Sequence, residues 1–322
     1  MGYTGSASGS VSQQGLPVRI VSTGTSLPPQ LVSSAEFDQR WQLRAGTTAA
    51  ASGVELRHQA SASESAQVLA VSAARAALDS AGLKAQDLDC VVSASSTPQQ
   101  AIPCFAAQIH AALGLQGSGI PAFDLNATCL SFLVALEQLS YAIAAGRYRR
   151  VLLASAELPS RALNPACRYT APLFGDGAAA VILEKSDAEG SALLAAAQET
   201  YSEGQDACHL KAGGSNYFLA GQAQAASAGG TFFEMDGKAL YKFTGAQQLV
   251  DSGKALSKCK PKDAKCIAKN LGNMAMAAKG LTPAGLASTV AKNVIKDQIK
   301  KKIEAEKAKK AAKKKLEAAT TE

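Results

Sequence analysis

The sequence predicts an α/β layered domain over residues 17–244, preceded by a short tail and followed by a Lys-rich helical region. Three observations carry this expectation. Short apolar, β-branched runs alternate with segments whose apolar residues recur at helical spacing throughout residues 17–184. Each of the helix-spaced segments stops at a glycine, namely Gly82, Gly114 and Gly146, as a chain does where it leaves a helix through a left-handed residue. Charge and aromatic content then change abruptly near Thr244.

The elements follow in chain order. Residues 1–16 are expected to be a flexible tail, because Met1 to Gln14 is Gly/Ser-rich and has neither the basic nor the apolar stretch of a signal peptide. Val18-Arg-Ile-Val-Ser22 reads as a strand closed by a turn at Gly24…Pro28-Pro29. From Ser63 to Ala81 a serine N-cap candidate precedes Val68, Val71, Leu78 and several alanines at helical spacing. Leu88-Asp-Cys-Val-Val-Ser93 reads as a buried strand, and Phe105 to Leu113 as a helix. The run Ile120-Pro-Ala-Phe-Asp-Leu-Asn-Ala-Thr-Cys129 leads into a helix-patterned stretch from Leu130 to Ile143. Arg149 to Ser155 and Ala178 to Leu183 are again strands, and no short-period repeat is visible.

Residues 245–322 have a different texture. The first 244 residues hold 10 Arg and 5 Lys against 19 acidic residues, a net of −4. The remainder holds 18 Lys and no Arg against 7 acids, a net of +11. The last aromatic residue is Phe243. Thr282-Pro283 reads as an N-cap with proline at the first helical position. Leu286, Val290, Val294, Ile295, Ile299 and Ile303 then form an apolar stripe, and Glu304 to Ala319 is Ala/Lys/Glu low complexity. Such charge attracts nucleic acid or anionic membrane nonspecifically. Without arginine or interleaved aromatics it gives no basis for reading bases, so specific nucleic-acid binding is not expected. The plain reading is a solvated helix face or a disordered tail.

Composition excludes several classes. The sequence has no run of 18 or more apolar residues, so no membrane span is predicted. Seven cysteines, at 90, 104, 129, 167, 208, 259 and 266, are scattered without metal-type pairs, so neither a zinc site nor a disulfide framework is expected. A reducing cytoplasm fits that pattern. No metal and no cofactor are implied.

Cys129 is the residue with the clearest chemistry. A thiol where a helix begins meets unpaired backbone N–H groups and the positive end of the macrodipole, which favour thiolate, the nucleophilic form. The alternative is a buried structural cysteine, and Cys90, Cys104, Cys167 and Cys208 read as core or surface thiols. His58 reads as a local hydrogen-bonding residue and His110 as a helix-surface or interface residue. His209, in a polar loop after Cys208, is the one histidine worth testing as a substitute base. Gly175-Asp176-Gly177 reads as a sharp entry into a strand, with glycines permitting positive φ, rather than as a phosphate-binding turn.

Several motifs, in order, resemble the β-ketoacyl-ACP synthase III group of the thiolase superfamily. They are Gly24-Thr-Ser-Leu-Pro28, Gly53-Val-Glu-Leu-Arg-His58, Ser95-Ser-Thr…Ile102-Pro103…Gln108, Asp124-Leu-Asn-Ala-Thr-Cys129-Leu-Ser-Phe132, Leu173-Phe-Gly-Asp-Gly-Ala-Ala-Ala-Val181 and Phe233-Glu-Met-Asp-Gly-Lys238. The resemblance covers about residues 17–244. It implies a thiolase-like layered αβαβα domain with an incomplete second half, and a homodimer. It also implies acylation of Cys129 by acyl-CoA or an acyl carrier protein thioester, then decarboxylative Claisen condensation with a malonyl thioester. Trp41 and Arg44 lie where family members touch the CoA or carrier-protein arm, although the following loop, Ala45 to Ser52, looks longer than usual. Ile102 resembles the position that reaches into the partner subunit's pocket, with plain packing as its alternative.

The family's neutral donors for the condensation are a His and an Asn in His-Gln-Ala-Asn-like and His-Gly-Asn-like motifs. Neither motif occurs here, where the histidines are His58, His110 and His209. Two readings therefore stand. One is a synthase III-like acyltransferase with Cys129 as nucleophile. The other is a catalytically inactive, truncated synthase joined to a basic helical interaction segment.

Overall fold

A computed structural model describes residues 15–187, 191–196, 198, 200–215 and 230–240. The expectations for the tail before Gly15 and for residues 245–322, including the apolar stripe and Cys259 and Cys266, lie outside the described residues. The chain divides into two units, residues 1–200 with 210–233, and residues 201–209 with 234–322.

The first unit is built on a five-stranded mixed sheet. In chain order its elements are β1 (Val18–Ser26), β2 (Leu31–Ser33), α1 (Ser34–Arg40), α2 (Thr47–Ser52), β3 (Leu56–His58), α3 (Ala66–Ser80), β4 (Cys90–Ser93), α4 (Phe105–Ala112), β5 (Ala122–Asp124), α5 (Ser131–Ala144), β6 (Arg150–Glu157) and β7 (Gly177–Lys185). The sheet order is β1-β7-β6-β4-β5. β4 runs parallel to β5 and β6, whereas β7 is antiparallel to both β6 and β1. β2 and β3 form a separate antiparallel pair. Leu16, within the expected tail, bridges Leu193 with 2.9 Å hydrogen bonds in both directions.

Alternation along the strands sorts the core into two faces. Val91, Leu152, Ala154, Ala156, Ala180 and Ile182 pack under α3 and α4. Cys90, Val92, Val151, Leu153, Val181 and Leu183 pack under α5 with Ala135, Leu139 and Ile143. Burial on both faces is why these strands read as unbroken apolar runs instead of alternating ones.

β1 extends to Ser26, beyond the run that ends at Ser22 in the sequence reading. Gly24 does not close the strand. It remains inside the strand because α3 crosses it closely: a Cβ there would lie 2.2 Å from the Ala73 carbonyl oxygen and 2.4 Å from the Ala77 nitrogen. The sheet-facing alanines of α3, Ala70, Ala73, Ala74 and Ala77, are fully buried and allow that approach. Ser22 adds a hydrogen bond from its hydroxyl to the Ala77 carbonyl at 2.6 Å.

Residues 45–52 are not all loop. The helix α2 occupies Thr47–Ser52, bounded by Gly46 and Gly53, both left-handed. It was hidden in the sequence because its cap comes from outside the segment. The buried Asp38 carboxylate accepts the Gly46 and Thr48 N–H groups and the Thr48 hydroxyl, at 2.8, 2.8 and 2.6 Å. The Thr48 hydroxyl foremost, opposed by desolvation and aided by the backbone donors, lowers the Asp38 pKa below its ordinary value of 3.8. A depressed carboxylate pKa contributes stability that is complete above the unfolded value and lost as pH falls through the folded one. Thr48→Val is therefore expected to destabilise the protein at neutral pH, with the gap from the parent narrowing in melting curves taken below pH 3.8. A gap that stays constant with pH would contradict this account.

The second unit contains a 3₁₀ turn over Ser202–Ala207 and a two-stranded ladder of β8 (Cys208–His209) and β9 (Glu234–Met235). His209 lies in this ladder, not in a loop, and its Nε2 is 3.1 Å from Glu234 Oε2. Residues 237–240 are helical, and the Asp236 carboxylate accepts the Ala239 N–H at 2.9 Å, at the start of that helix.

Candidate active site

Cys129 sits in a 3₁₀ turn, Thr128–Leu130, between the end of β5 and the start of α5, and it is exposed. The parallel strands β4, β5 and β6 all end on this side of the sheet, and the crevice beyond such ends is where open α/β sheets bind ligands. The Leu125 N–H donates to the Ser93 carbonyl at 2.9 Å, which prolongs the β4–β5 ladder toward the cysteine. The backbone then turns sharply. Thr128 has φ of 51°, in the left-handed region that β-branched residues rarely adopt. Strain of this kind concentrates at functional sites.

Side chains on both flanks hold the turn. Asn126 Oδ1 accepts the Thr128 N–H at 2.8 Å, and Asn126 Nδ2 donates to the Ser96 carbonyl at 2.9 Å. Ser131 Oγ accepts the Ala127 N–H at 2.9 Å and donates to the Thr128 carbonyl at 2.6 Å. Leu130, the N-cap of α5, supplies no side-chain acceptor to the first turn.

Neighbouring carboxylates fasten the frame. Asp124, at the end of β5, accepts the Phe105 and Ala106 N–H groups at 2.8 and 2.7 Å and so caps α4 from another strand. Asp176 is buried and accepts from the Ala60 and Ser160 N–H groups and the Ser160 hydroxyl. Its flanking glycines serve close approach, because neither has positive φ. A Cβ on Gly175 would lie 3.1 Å from the His58 carbonyl oxygen, and one on Gly177 would lie 2.9 Å from Leu27 Cδ2. This corrects the expectation that positive φ selected them.

Trp41 closes α1, half-buried against Phe37 with ring centroids 5.0 Å apart. Arg44 is exposed three residues on. The Arg168 guanidinium lies over the Trp41 ring at 5.9 Å, a pairing with no signal in the sequence because 127 residues separate them. Ile102 precedes α4 and is 78% exposed. Nothing in the geometry joins Trp41, Arg44 or Ile102 to the Cys129 turn by direct contact. His58 Nδ1 is 2.6 Å from the Pro28 carbonyl oxygen, and His110 Nε2 is 3.3 Å from the Ser118 hydroxyl, so each is engaged locally.

Cys90, Cys104, Cys129 and Cys167 are free thiols. Burial, only partly offset by a hydrogen bond with Tyr148 and by Arg147, pushes the Cys90 thiol up to about 11. Iodoacetamide at pH 8 is therefore expected to label Cys129 in the native protein while Cys90 stays unmodified until the chain unfolds. Peptide mapping showing Cys90 labelled as fast as Cys129 would refute this. Among the described residues no group of three or more His, Cys, Asp or Glu is arranged to hold a metal, and no helix is long and apolar enough to cross a membrane.

A mixed sheet covered by α3 and α4 on one face and α5 on the other, with a cysteine turn at the ends of its parallel strands, defines a thiolase-like α/β domain. Solved structures share it. The 3-oxoacyl-(acyl carrier protein) synthase III of Pseudomonas aeruginosa PAO1 aligns with TM-score 0.63 and 30% identity, over 81% of this chain and 79% of that one. The synthase III of Aquifex aeolicus VF5 aligns with TM-score 0.62 and 26% identity, over 83% and 82%. The family described as 3-oxoacyl-[acyl-carrier-protein (ACP)] synthase III matches residues 123–202, which include Cys129. The β-ketoacyl-[acyl-carrier-protein] synthase III of Rhodobacter capsulatus is 41% identical over 169 residues, 52% of each chain. The chain belongs to the 3-oxoacyl-[acyl-carrier-protein] synthase III family. Its matched sequence spans about half the length of these curated relatives.

Proposed function

We infer that this chain is an acyltransferase in which Cys129 accepts an acyl group from an acyl-CoA or acyl carrier protein thioester. The observation that carries the reading is an exposed thiol held on a strained strand-to-helix turn, within the segment that matches the family. Cys129 Sγ, as thiolate, attacks the thioester carbonyl carbon and forms a tetrahedral oxyanion. Collapse breaks the bond to the departing CoA or carrier sulfur, which takes up the proton that Cys129 gave up. We assign backbone N–H groups of the first turn of α5 as donors for the oxyanion. Trp41, Arg44 and, from its place over the indole, Arg168 are the residues we assign to the CoA or carrier arm. Ile102 is assigned to the pocket of a partner subunit in a homodimer, and a reducing cytoplasm suits the free cysteines.

In the second step a malonyl thioester loses carbon dioxide. The resulting carbanion attacks the acyl carbonyl, releasing Cys129 and a 3-oxoacyl thioester for fatty acid or polyketide synthesis. A synthase III structure and a priming β-ketosynthase of polyketide biosynthesis both stand among the structural neighbours. Losing one oxyanion donor costs about 10²–10³ in rate, so without the family's His and Asn motifs this step is the slow one. That absence, with the composition break near Thr244, favours the second reading: an inactive truncated synthase, residues 17–244, joined to a basic helical segment, residues 245–322. Incubation with acyl-CoA followed by intact mass separates the two. An increment equal to the acyl group, mapped to the Cys129 peptide, supports the acyltransferase, and no increment removes it. Malonyl-CoA decarboxylation, assayed separately, reports the second step.

A further inference from the structure

We propose that Asn126 is a positioning residue for Cys129, locking the turn that presents the thiol, and that Glu157 anchors it through Ser96. The proposal rests on Cys129 being the acyl acceptor. Thr128 is one of two described non-glycine residues with positive φ, the other being Gln42, so something must hold it there. Asn126 does so from the N-terminal side, using both ends of its amide. Oδ1 takes the Thr128 N–H and Nδ2 reaches the Ser96 carbonyl. Turning the amide over would set donor against donor and acceptor against acceptor, so a single orientation satisfies both bonds.

Ser96 is itself immobilised by the sheet. The Glu157 carboxylate, at the end of β6, accepts the Ser96 N–H, the Ser96 hydroxyl at 2.7 Å and the Thr97 hydroxyl at 3.3 Å. The loop after β4 is thereby fastened to β6, and Asn126 carries that rigidity across to the residue beside the nucleophile. Aspartate in its place would lose the donor to Ser96, and serine would keep only the Thr128 bond. Asn126 is exposed and packs no core, so its removal acts on the geometry of the turn rather than on the fold. Misplacing a reacting atom by about 1 Å can cost 10²-fold.

The test is the full chain with Asn126→Ala, read as kcat and KM for acylation from acyl-CoA, and as the iodoacetamide alkylation rate of Cys129. We expect kcat to fall about 10- to 100-fold with KM within about twofold, and alkylation to slow at least about threefold. Glycine takes the left-handed conformation freely. Adding Thr128→Gly to Asn126→Ala should therefore recover at least about tenfold of the lost kcat, with Thr128→Gly alone as reference. Asn126→Ser, which still accepts the Thr128 N–H, should fall between parent and alanine and serves if the alanine variant does not fold. Rates within twofold of the parent, or a loss that Thr128→Gly does not relieve, overturn the proposal. A parent chain that takes no acyl group removes the acyltransferase reading, while the alkylation rates still decide the role of Asn126.

Discussion

Cys129→Ala is expected to abolish acylation, leaving less than about a thousandth of the parent's adduct under equal exposure to acyl-CoA. Removing a nucleophile that acts as one unit with its surroundings has cost about 10⁶ in comparable covalent enzymes, so the expected loss exceeds any assay's range. The effect should be chemical and not structural. Cys129 is exposed in a short turn, and its sulfur is absent from both buried clusters. The melting temperature of the variant should therefore match the parent within about 2 °C. Neither Cys90 nor Cys104 is expected to substitute. Cys90 is fully buried with its pKa raised to about 11, and Cys104 lies 3.9 Å from the Ala122 carbonyl at the foot of α4. An adduct of unchanged size in the alanine variant would mean that another residue is the acceptor, and the assignment of the site would fall with it.

Gly24→Ala should produce a large loss of stability from the addition of a single methyl group. The added methyl would meet backbone on the facing helix, at 2.2 Å from an oxygen and 2.4 Å from a nitrogen, where no side chain can rotate away. Relief requires α3 to withdraw from β1, which strips contact from Leu69, Ala70, Ala73, Ala74 and Ala77 together. Overpacking of this type costs about 1–3 kcal/mol, and a backbone-on-backbone clash belongs at the upper end. Against a total stability of about 5–15 kcal/mol, and at about 2–4 °C per kcal/mol for a domain of this size, the midpoint should drop by roughly 6–12 °C. Thermal unfolding decides it, with Gly24→Ala compared to the parent at equal concentration. A shift below about 2 °C would show that the helix is not held as tightly against the strand as described.

Much of the fold was legible because its signals are local. Gly82, Gly114 and Gly146 are left-handed just past α3, α4 and α5, as their positions after helix-spaced runs predicted. The strands β4, β6 and β7 are buried on both faces, so their continuous apolar runs stood out. The elements that escaped depend on partners far away in sequence. The helix α2 is capped by Asp38, β5 has three residues and reads as a lead-in to the cysteine, and the β2–β3 pair forms across more than twenty residues. The site divides in the same way. Cys129 was visible because its flanking residues form one contiguous motif. Asn126 lay within that motif but without apparent function, since its partner Ser96 is thirty residues earlier. Arg168 was invisible until the chain brought it over Trp41.

The pairing of β1 with β7 has a consequence for biosynthesis. Val18 faces Lys185 and Ser26 faces Ala178, so β1 finds its hydrogen-bonding neighbour only after about 150 further residues have been made. At about 5–20 residues per second that interval is roughly 8–30 s. Throughout it the nascent segment from Val18 to Ser26 has no place in the sheet, and joining it last means closing a very long loop, which slows folding. The α3 helix, which emerges much earlier and touches the same strand at Gly24, is the partner best timed to shelter it until β7 arrives.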